Sequence, residues 1–317
     1  MKSEKCLYCY QPLIDGHTDF HPACSRKIFG TPVPPVLPYE ESQLNDLALQ
    51  IIQSHTALTG VQPKLSLDIH RNVNRNEPNR FTLVGLWGGY ILKPPTVRFP
   101  DLPEVEDLTM HLATLAKIKT VPHTLIRMES GSLAYLTKRI DRKKREKVHM
   151  EDMCQLTEKL TEHKYQGSYE QIAKAIIKYS ANPLLDCIDY FEQVLFSYLT
   201  GNADMHLKNF SLINDKSIGY TLAPAYDMVA TALVNPADTE ELALTLNGRK
   251  RKIRRPDFIA AFNSVKLHPK QQENIFRKLD KAIPLWLEFI DKSFLSVEMQ
   301  QTFKSLILEK QRKLANS

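Results

Sequence analysis

The stretch Gly201–Ser211, GNADMHLKNFS, decides how the rest of the chain reads, together with PAYDMV at Pro224–Val229. Asn202, Asp204, His206, Lys208 and Asn209 fall within eight residues of each other. A further carboxylate, Asp227, follows a segment that reads as a strand hairpin, Asn209 to Ile213 and then Tyr220 to Leu222. An Asp five residues ahead of an Asn is by itself most often a polar turn, and the clustering is what points to chemistry. Upstream, Ile188, Phe191, Val194, Leu195 and Tyr198 share one face at helical spacing. That spacing predicts an amphipathic helix from about Asp186 to Leu199, a rigid support that delivers the loop.

Phosphoryl transfer asks little covalent work of a protein, so its catalysts supply position and neutralise charge with metal ions and cations. The loop suits that task. Asp204 can take a hydroxyl proton, Asn209 and Asp227 can hold Mg²⁺, and Lys208 can reach the transferred group. His206 belongs with these catalytic and nucleotide-contacting residues, as a brace for the loop rather than as the base.

GNADMHLKNFS, PAYDMV and the upstream EDMCQ (Glu151 to Gln155) resemble the HipA-type toxin serine/threonine kinases of bacteria, from about Leu44 to the C-terminus. The resemblance implies a bilobal, protein-kinase-like α+β fold, with a small β-rich N-lobe and a larger all-helical C-lobe. It implies ATP and Mg²⁺ as cofactors, Asp204 as catalytic base, and Asn209 and Asp227 as magnesium ligands. It also implies an off-switch, because such relatives autophosphorylate a serine in the phosphate-covering loop that ends in G-x-Q-x-K. Here that loop holds Gly60, Val61, Gln62 and Lys64, and Ala57 stands nearest the family serine, leaving Ser54, Thr56 and Thr59 as candidate hydroxyls. About two added negative charges there would repel the nucleotide phosphates.

The residues ahead of the helical region read compatibly. Gly60 permits close backbone approach to a phosphate, and Gln62 and Lys64 add donors, although the Walker A spacing is absent. Leu65, Leu67 and Ile69 alternate as a strand, and Phe81–Leu86 and Gly89–Lys93 read as two more. Lys93, at the end of an apolar strand, is the lysine a nucleotide lobe needs to meet phosphates and pair with a helix carboxylate. Glu106 is its nominated partner and Glu104 the alternative. Leu133–Thr137 reads as a strand leading to Lys138 and Ile140, where the kinase plan places the adenine hinge.

The 317 residues, 43% hydrophobic, are enough for two domains with their own cores. No run approaches a membrane span and Met1–Lys5 is not a signal peptide, so a cytoplasmic protein without membrane contact is expected. The formal net charge of +6 is mild and local: KRIDRKKREK (Lys138–Lys147) and RKRKIRR (Arg249–Arg255) carry much of it. The second run could dock tRNA or a tRNA-bound protein, while direct DNA binding is not expected.

Cys6-x2-Cys9 and His21-x2-Cys24 are separated by eleven residues, a spacing that fits one tetrahedral Zn²⁺. The competing readings are packed thiols of a degenerate ribbon, or His17 as a substitute ligand. Gly30–Pro38, with four prolines, must be extended. The expected division is a Cys/His module over 1–30, a Pro-rich linker over 31–43, the N-lobe over 44–148 and the helical C-lobe over 149–317. Helices are expected over Met153–Leu160, Ser168–Tyr179, Pro256–Phe262, Pro269–Leu279 and Pro284–Leu314.

By resemblance, the short form of the chain is HipT-like. This implies a separate small protein in place of an N-terminal subdomain, a helix-turn-helix antitoxin, or both, and a protein substrate such as an aminoacyl-tRNA synthetase. The alternatives are a small-molecule kinase and a zinc-containing nucleic-acid-binding protein with an inactive kinase body.

Overall fold

A computed structural model describes residues 4–14, 16–44, 64–72, 77–84, 87–143 and 146–316. The fold is α+β, in two compact units: Met1–Asp107 with Val121–Arg145, and Leu108–Thr120 with Glu146–Ser317.

The first unit is built on a five-stranded sheet. Its strands are β1 (Leu65–His70), β2 (Arg80–Leu83), β3 (Tyr90–Lys93), β4 (His123–Arg127) and β5 (Leu133–Lys138), ordered β2-β1-β3-β5-β4. Every pairing is antiparallel, with Leu65 opposite Leu92 and Lys93 opposite Tyr135. Alternation does its work in β1, where Leu65 and Leu67 are buried and Asp68 and His70 face solvent. Leu92, Phe81, Tyr90 and Leu136 complete that core, each full burial being worth about 1.5–3 kcal/mol. Helix α1 (Pro22–Phe29) ends in a left-handed Gly30, and its Phe29 packs edge-on against Phe81. The chain leaves the sheet through a two-residue strand, β6 (Arg142–Lys143).

Helix α2 (Leu102–Leu115) is counted with the first unit as far as Asp107 and with the second beyond it. After β7 (Glu146–Lys147) the second unit is chiefly helical, and it also carries a small antiparallel sheet. That sheet is ordered β10-β9-β8, from β8 (Met150–Asp152), β9 (Ser211–Asp215) and β10 (Gly219–Leu222). Its helices are α3 (Met153–Leu156), α4 (Tyr169–Tyr179), α5 (Pro183–Leu199), α6 (Thr231–Val234), α7 (Arg255–Ser264), α8 (Pro269–Ile290) and α9 (Val297–Ala315). Ser168 and Gln171 form a reciprocal capping box that starts α4. The core is aromatic: Phe191, Phe258, Phe262 and Phe276 pack on one another, and buried Trp286 donates to the Leu112 carbonyl at 2.8 Å.

Three helix boundaries differ from the sequence expectation. Helix α5 begins three residues before Asp186, with Pro183 in its first turn, where the missing N–H costs nothing. Leu184 and Leu185 are exposed and hid that turn from a reading of apolar periodicity. The single helix expected over Pro284–Leu314 is instead the end of α8, which runs through that proline because Ala282, Ile283 and Trp286 are all buried around it, and the separate helix α9 from Val297. The helix at Met153 stops at Leu156 rather than Leu160, and Glu158 then takes a positive φ of 55°.

Candidate active site

Helix α5 ends at Leu199, and the chain turns sharply through Gly201, whose φ is 67°. A Cβ there would lie 2.9 Å from Ala232 Cβ and 2.7 Å from Leu306 Cδ2, so the turn needs glycine for its φ and for its space. The loop beyond is held at nearly every residue. The Ala203 N–H donates to Thr231 Oγ1 at 2.9 Å, and the Asp204 N–H to Asn202 Oδ1 at 3.1 Å. The Tyr169 hydroxyl donates to the Met205 carbonyl at 3.1 Å, and the Leu207 N–H to the Lys164 carbonyl at 3.1 Å. A single 3₁₀ turn, Leu207–Asn209, then leads into β9.

Within this turn Asn209 is buried, and its Nδ2 donates to the Asp204 carbonyl at 2.9 Å. Because a carbonyl can only accept, the amide nitrogen is committed and Oδ1 is the atom that can meet a cation. Asp204 Oδ1 accepts from the Tyr165 hydroxyl at 2.6 Å. Asp227, after the β9–β10 hairpin, adopts φ 60°, an uncommon conformation for a residue with a Cβ. Its negative charge, like that of Asp204, acts on both Tyr165 and His206. The two carboxylates therefore share one electrostatic neighbourhood.

His206 is buried and meets Tyr165 edge-on with ring centroids 4.9 Å apart. Burial, opposed by the charge of Asp204, pushes its pKa down to about 4. The imidazole is thus neutral at pH 7. Burial and the adjacent Asp204 push the Tyr165 hydroxyl well above its ordinary value, so it serves Asp204 as a donor.

Lys208, expected at the transferred group, is engaged with Asp152: Nζ lies 2.6 Å from Oδ2. Asp152 also caps α3, accepting from the Gln155 N–H at 3.0 Å. The EDMCQ stretch is thereby tied to the Gly201–Ser211 loop, and Asp152 pairs with Ser211 across β8 and β9. Three contributors had no distinctive signal in the sequence. Tyr165 stands in an irregular loop. Asp152 lies inside a quoted motif without an assigned role. Tyr226, beside Asp227, donates to the Lys208 carbonyl at 3.0 Å.

In the first unit Lys93 and Glu106 are both buried, with Nζ 2.5 Å from Oε1. The ammonium also lies 5.5 Å from the centre of the Tyr135 ring. The alternative, Glu104, has one buried carboxyl oxygen without a hydrogen-bond partner, and burial pushes its pKa up to about 7. Lys138 is exposed at the end of β5, its N–H donating to the Pro122 carbonyl at 2.8 Å, and Ile140 is half-buried. Lys64 is exposed ahead of β1. Ser54, Thr56, Thr59, Gly60, Val61 and Gln62 lie outside the described residues.

The ligand atoms of Cys6, Cys9, His21 and Cys24 all lie within 4.8 Å of one another. His17 is not one of the group. Of the Arg249–Arg255 run, Lys250 pairs with Glu240 at 3.2 Å and Arg255 with Glu273 at 2.5 Å. No helix among the described residues is long and apolar enough to cross a membrane.

Comparison with solved structures defines the class, a kinase-like fold. The chain superposes on HipA from the Shewanella oneidensis MR-1 toxin–antitoxin complex of HipA, HipB and operator DNA with a TM-score of 0.69 at 21% identity. That match covers 96% of this chain and 80% of the other. The proinflammatory kinase CtkA of Helicobacter pylori matches with a TM-score of 0.52 at 15% identity, over 72% of this chain and 88% of its own. Residues 56–286 match the HipA-like C-terminal domain, and the chain belongs to that family. A Haemophilus influenzae relative named "Putative kinase" is 31% identical over 210 aligned positions, covering 62% of this chain and 59% of the relative. A Sinorhizobium fredii relative, Y4dM, is 31% identical over 188 residues, 55% of this chain and 45% of its own. The chain thus spans roughly half the length of these relatives.

Proposed function

We propose that this chain is an ATP- and Mg²⁺-dependent protein serine/threonine kinase of toxin–antitoxin type. The observation that carries the proposal is the Asp204–Asn209 turn. There the amide of a buried asparagine is bonded to the backbone of an aspartate whose own carboxylate faces a tyrosine hydroxyl. Asn209 through Oδ1 and Asp227 through its carboxylate would hold Mg²⁺. Lys93, set by Glu106, would meet the α- and β-phosphates. Bound Mg²⁺·ATP supplies the phosphoryl group and neutralises its charge.

The remaining roles belong to the chain itself. Asp204 accepts the proton of the incoming hydroxyl, and Tyr165 holds one of its oxygens so that the other is presented. Neutral His206 fills the space beneath without adding a charge. Lys208 joins the loop to Asp152 and acts on the transferred group from that position. Phosphorylation at Ser54, Thr56 or Thr59 would switch the enzyme off by placing negative charge beside the nucleotide. The target is a translation component such as an aminoacyl-tRNA synthetase, reached in the cytoplasm. The HipA neighbour was solved with HipB and operator DNA, which supports a helix-turn-helix antitoxin as partner, with or without a small companion protein.

Intact-mass spectrometry of the expressed protein tests this. Wild type should carry one or more added phosphates, and Asp204→Ala none, while Asp204→Ala still binds ATP. Asp227→Ala should weaken binding of the metal–nucleotide complex itself. Near-native transfer by Asp204→Ala would overturn the assignment of the base.

A further inference from the structure

The segment before the sheet of the first unit brings three thiols and one imidazole to a point. Cys6 and Cys9 flank a tight turn in which the Cys6 N–H donates to the Gln11 carbonyl and the Tyr10 N–H to the Cys6 carbonyl, both at 2.9 Å. Tyr10 closes the turn with φ 62°. His21 immediately precedes α1, and Cys24 lies in the first turn of that helix. His21 Nδ1 is 3.5 Å from Cys9 Sγ and 3.9 Å from Cys24 Sγ. A tetrahedral ion with Zn–S of about 2.3 Å and Zn–N of about 2.0–2.1 Å has N···S edges of about 3.6 Å. The observed separations bracket that edge.

The orientation of the imidazole supplies a second, independent observation. His21 Nε2 lies 3.0 Å from the Pro12 carbonyl. A carbonyl can only accept, so Nε2 carries the proton and the lone pair on Nδ1 points at the sulfurs, the outer bond characteristic of a metal-binding histidine. Three sulfurs and one nitrogen make a soft, four-donor set that suits Zn²⁺ and not Mg²⁺ or Ca²⁺. With four protein ligands no position is open to a substrate, and the site is structural.

We propose that Cys6, Cys9, His21 and Cys24 bind one Zn²⁺, and that this ion fixes the turn that seats Tyr10. The Tyr10 side chain is buried, and its hydroxyl donates to Asp107 Oδ2 at 2.7 Å, while the other Asp107 oxygen meets His123 Nδ1 at 2.7 Å. Asp107 is the next residue after Glu106, the partner of Lys93. The metal loop therefore braces the helix position beside the nucleotide-lobe ion pair. The same loop is anchored to the β4 edge, where Leu7 accepts from Thr124 Oγ1 at 3.2 Å and Asp19 receives Arg127 at 2.8 Å. These contacts seat the module on the sheet, and the ion sets the conformation of the Cys6–Tyr10 turn.

The test is metal analysis of the full chain purified without chelator. One zinc per chain is expected. Cobalt(II) exchanged into the site should show the intense visible bands of tetrahedral thiolate coordination. His21→Ala should lose the metal, and His21→Cys, which restores a fourth soft ligand, should retain it. Tyr10→Phe should also keep its zinc, while hydrogen exchange at 102–107 rises, as it should on chelation of the wild type. Zinc-free protein with reduced thiols and no uptake of added zinc would overturn the proposal. So would iron in its place, or a disulfide among Cys6, Cys9 and Cys24. Asp204→Ala should carry the same zinc as wild type, so the metal site and the proposed kinase activity fail separately.

Discussion

Lys93→Met is the most informative single perturbation of the first unit. It removes the cation from a pair in which Lys93 is 5% and Glu106 1% exposed. With N and O 2.5 Å apart, an effective dielectric constant of about 20 gives an attraction of roughly 7 kcal/mol before desolvation is charged against it. Much of that offsets the burial of two ions, so the pair itself adds little net stability. Removing one partner is different, because the other stays buried without its ion pair, at a cost of up to about 3–5 kcal/mol. Lys93→Met and Glu106→Leu should each destabilise the unit by that much. The double variant, with two apolar side chains in the same space, should recover most of the loss. Trp87 of the first unit is largely exposed, so the measurement for that unit is hydrogen exchange at β3 and β5 in urea. Single variants within about 1 kcal/mol of wild type, and additive in the double, would refute the account of a buried, coupled pair.

Two further substitutions test separate parts of the structure. Glu104 has a folded pKa raised from 4.5 to about 7, so the folded state holds its proton more tightly than the unfolded state. Its contribution is greatest below pH 4.5 and is lost as the pH rises towards 7. Glu104→Gln should therefore gain on wild type across that window, by up to about 3 kcal/mol above pH 7, and a gap that does not grow with pH in urea titrations would contradict the assignment. Gly201→Ala combines about 1–2 kcal/mol of left-handed backbone strain with a Cβ only 2.9 Å from Ala232 Cβ. A loss of about 2–4 kcal/mol is expected in urea unfolding followed by Trp286 fluorescence in a Trp87→Phe background, and an unchanged midpoint would show that the turn can relax.

Much of the candidate site was legible because its chemistry is written at short range. Asp204, His206 and Asn209 lie in one turn, and Cys6 with Cys9 and His21 with Cys24 are close pairs, so spacing along the chain dictates spacing in space. Periodicity likewise placed α4 and most of α5, because one apolar face must be buried wherever such a helix packs. The alternation of Leu65 and Leu67 also showed which face of β1 is buried.

What the chain could not declare in advance are choices made between distant segments. Glu104 and Glu106 are two residues apart and chemically alike, and only the folded sheet sets Lys93 against Glu106 and leaves Glu104 with an unpartnered oxygen. Lys208 was read towards a phosphate, and the fold also sets it against Asp152, fifty-six positions away in sequence. Tyr165 reaches Asp204 from an irregular loop that carries no motif. Pro284 reads locally as a helix start, yet burial of Trp286 and its neighbours carries α8 through it. Local spacing and backbone preference act within a few residues and survive in the linear text. Pairing of charges and burial of side chains depend on which surfaces meet, and that is settled only when the whole chain has packed.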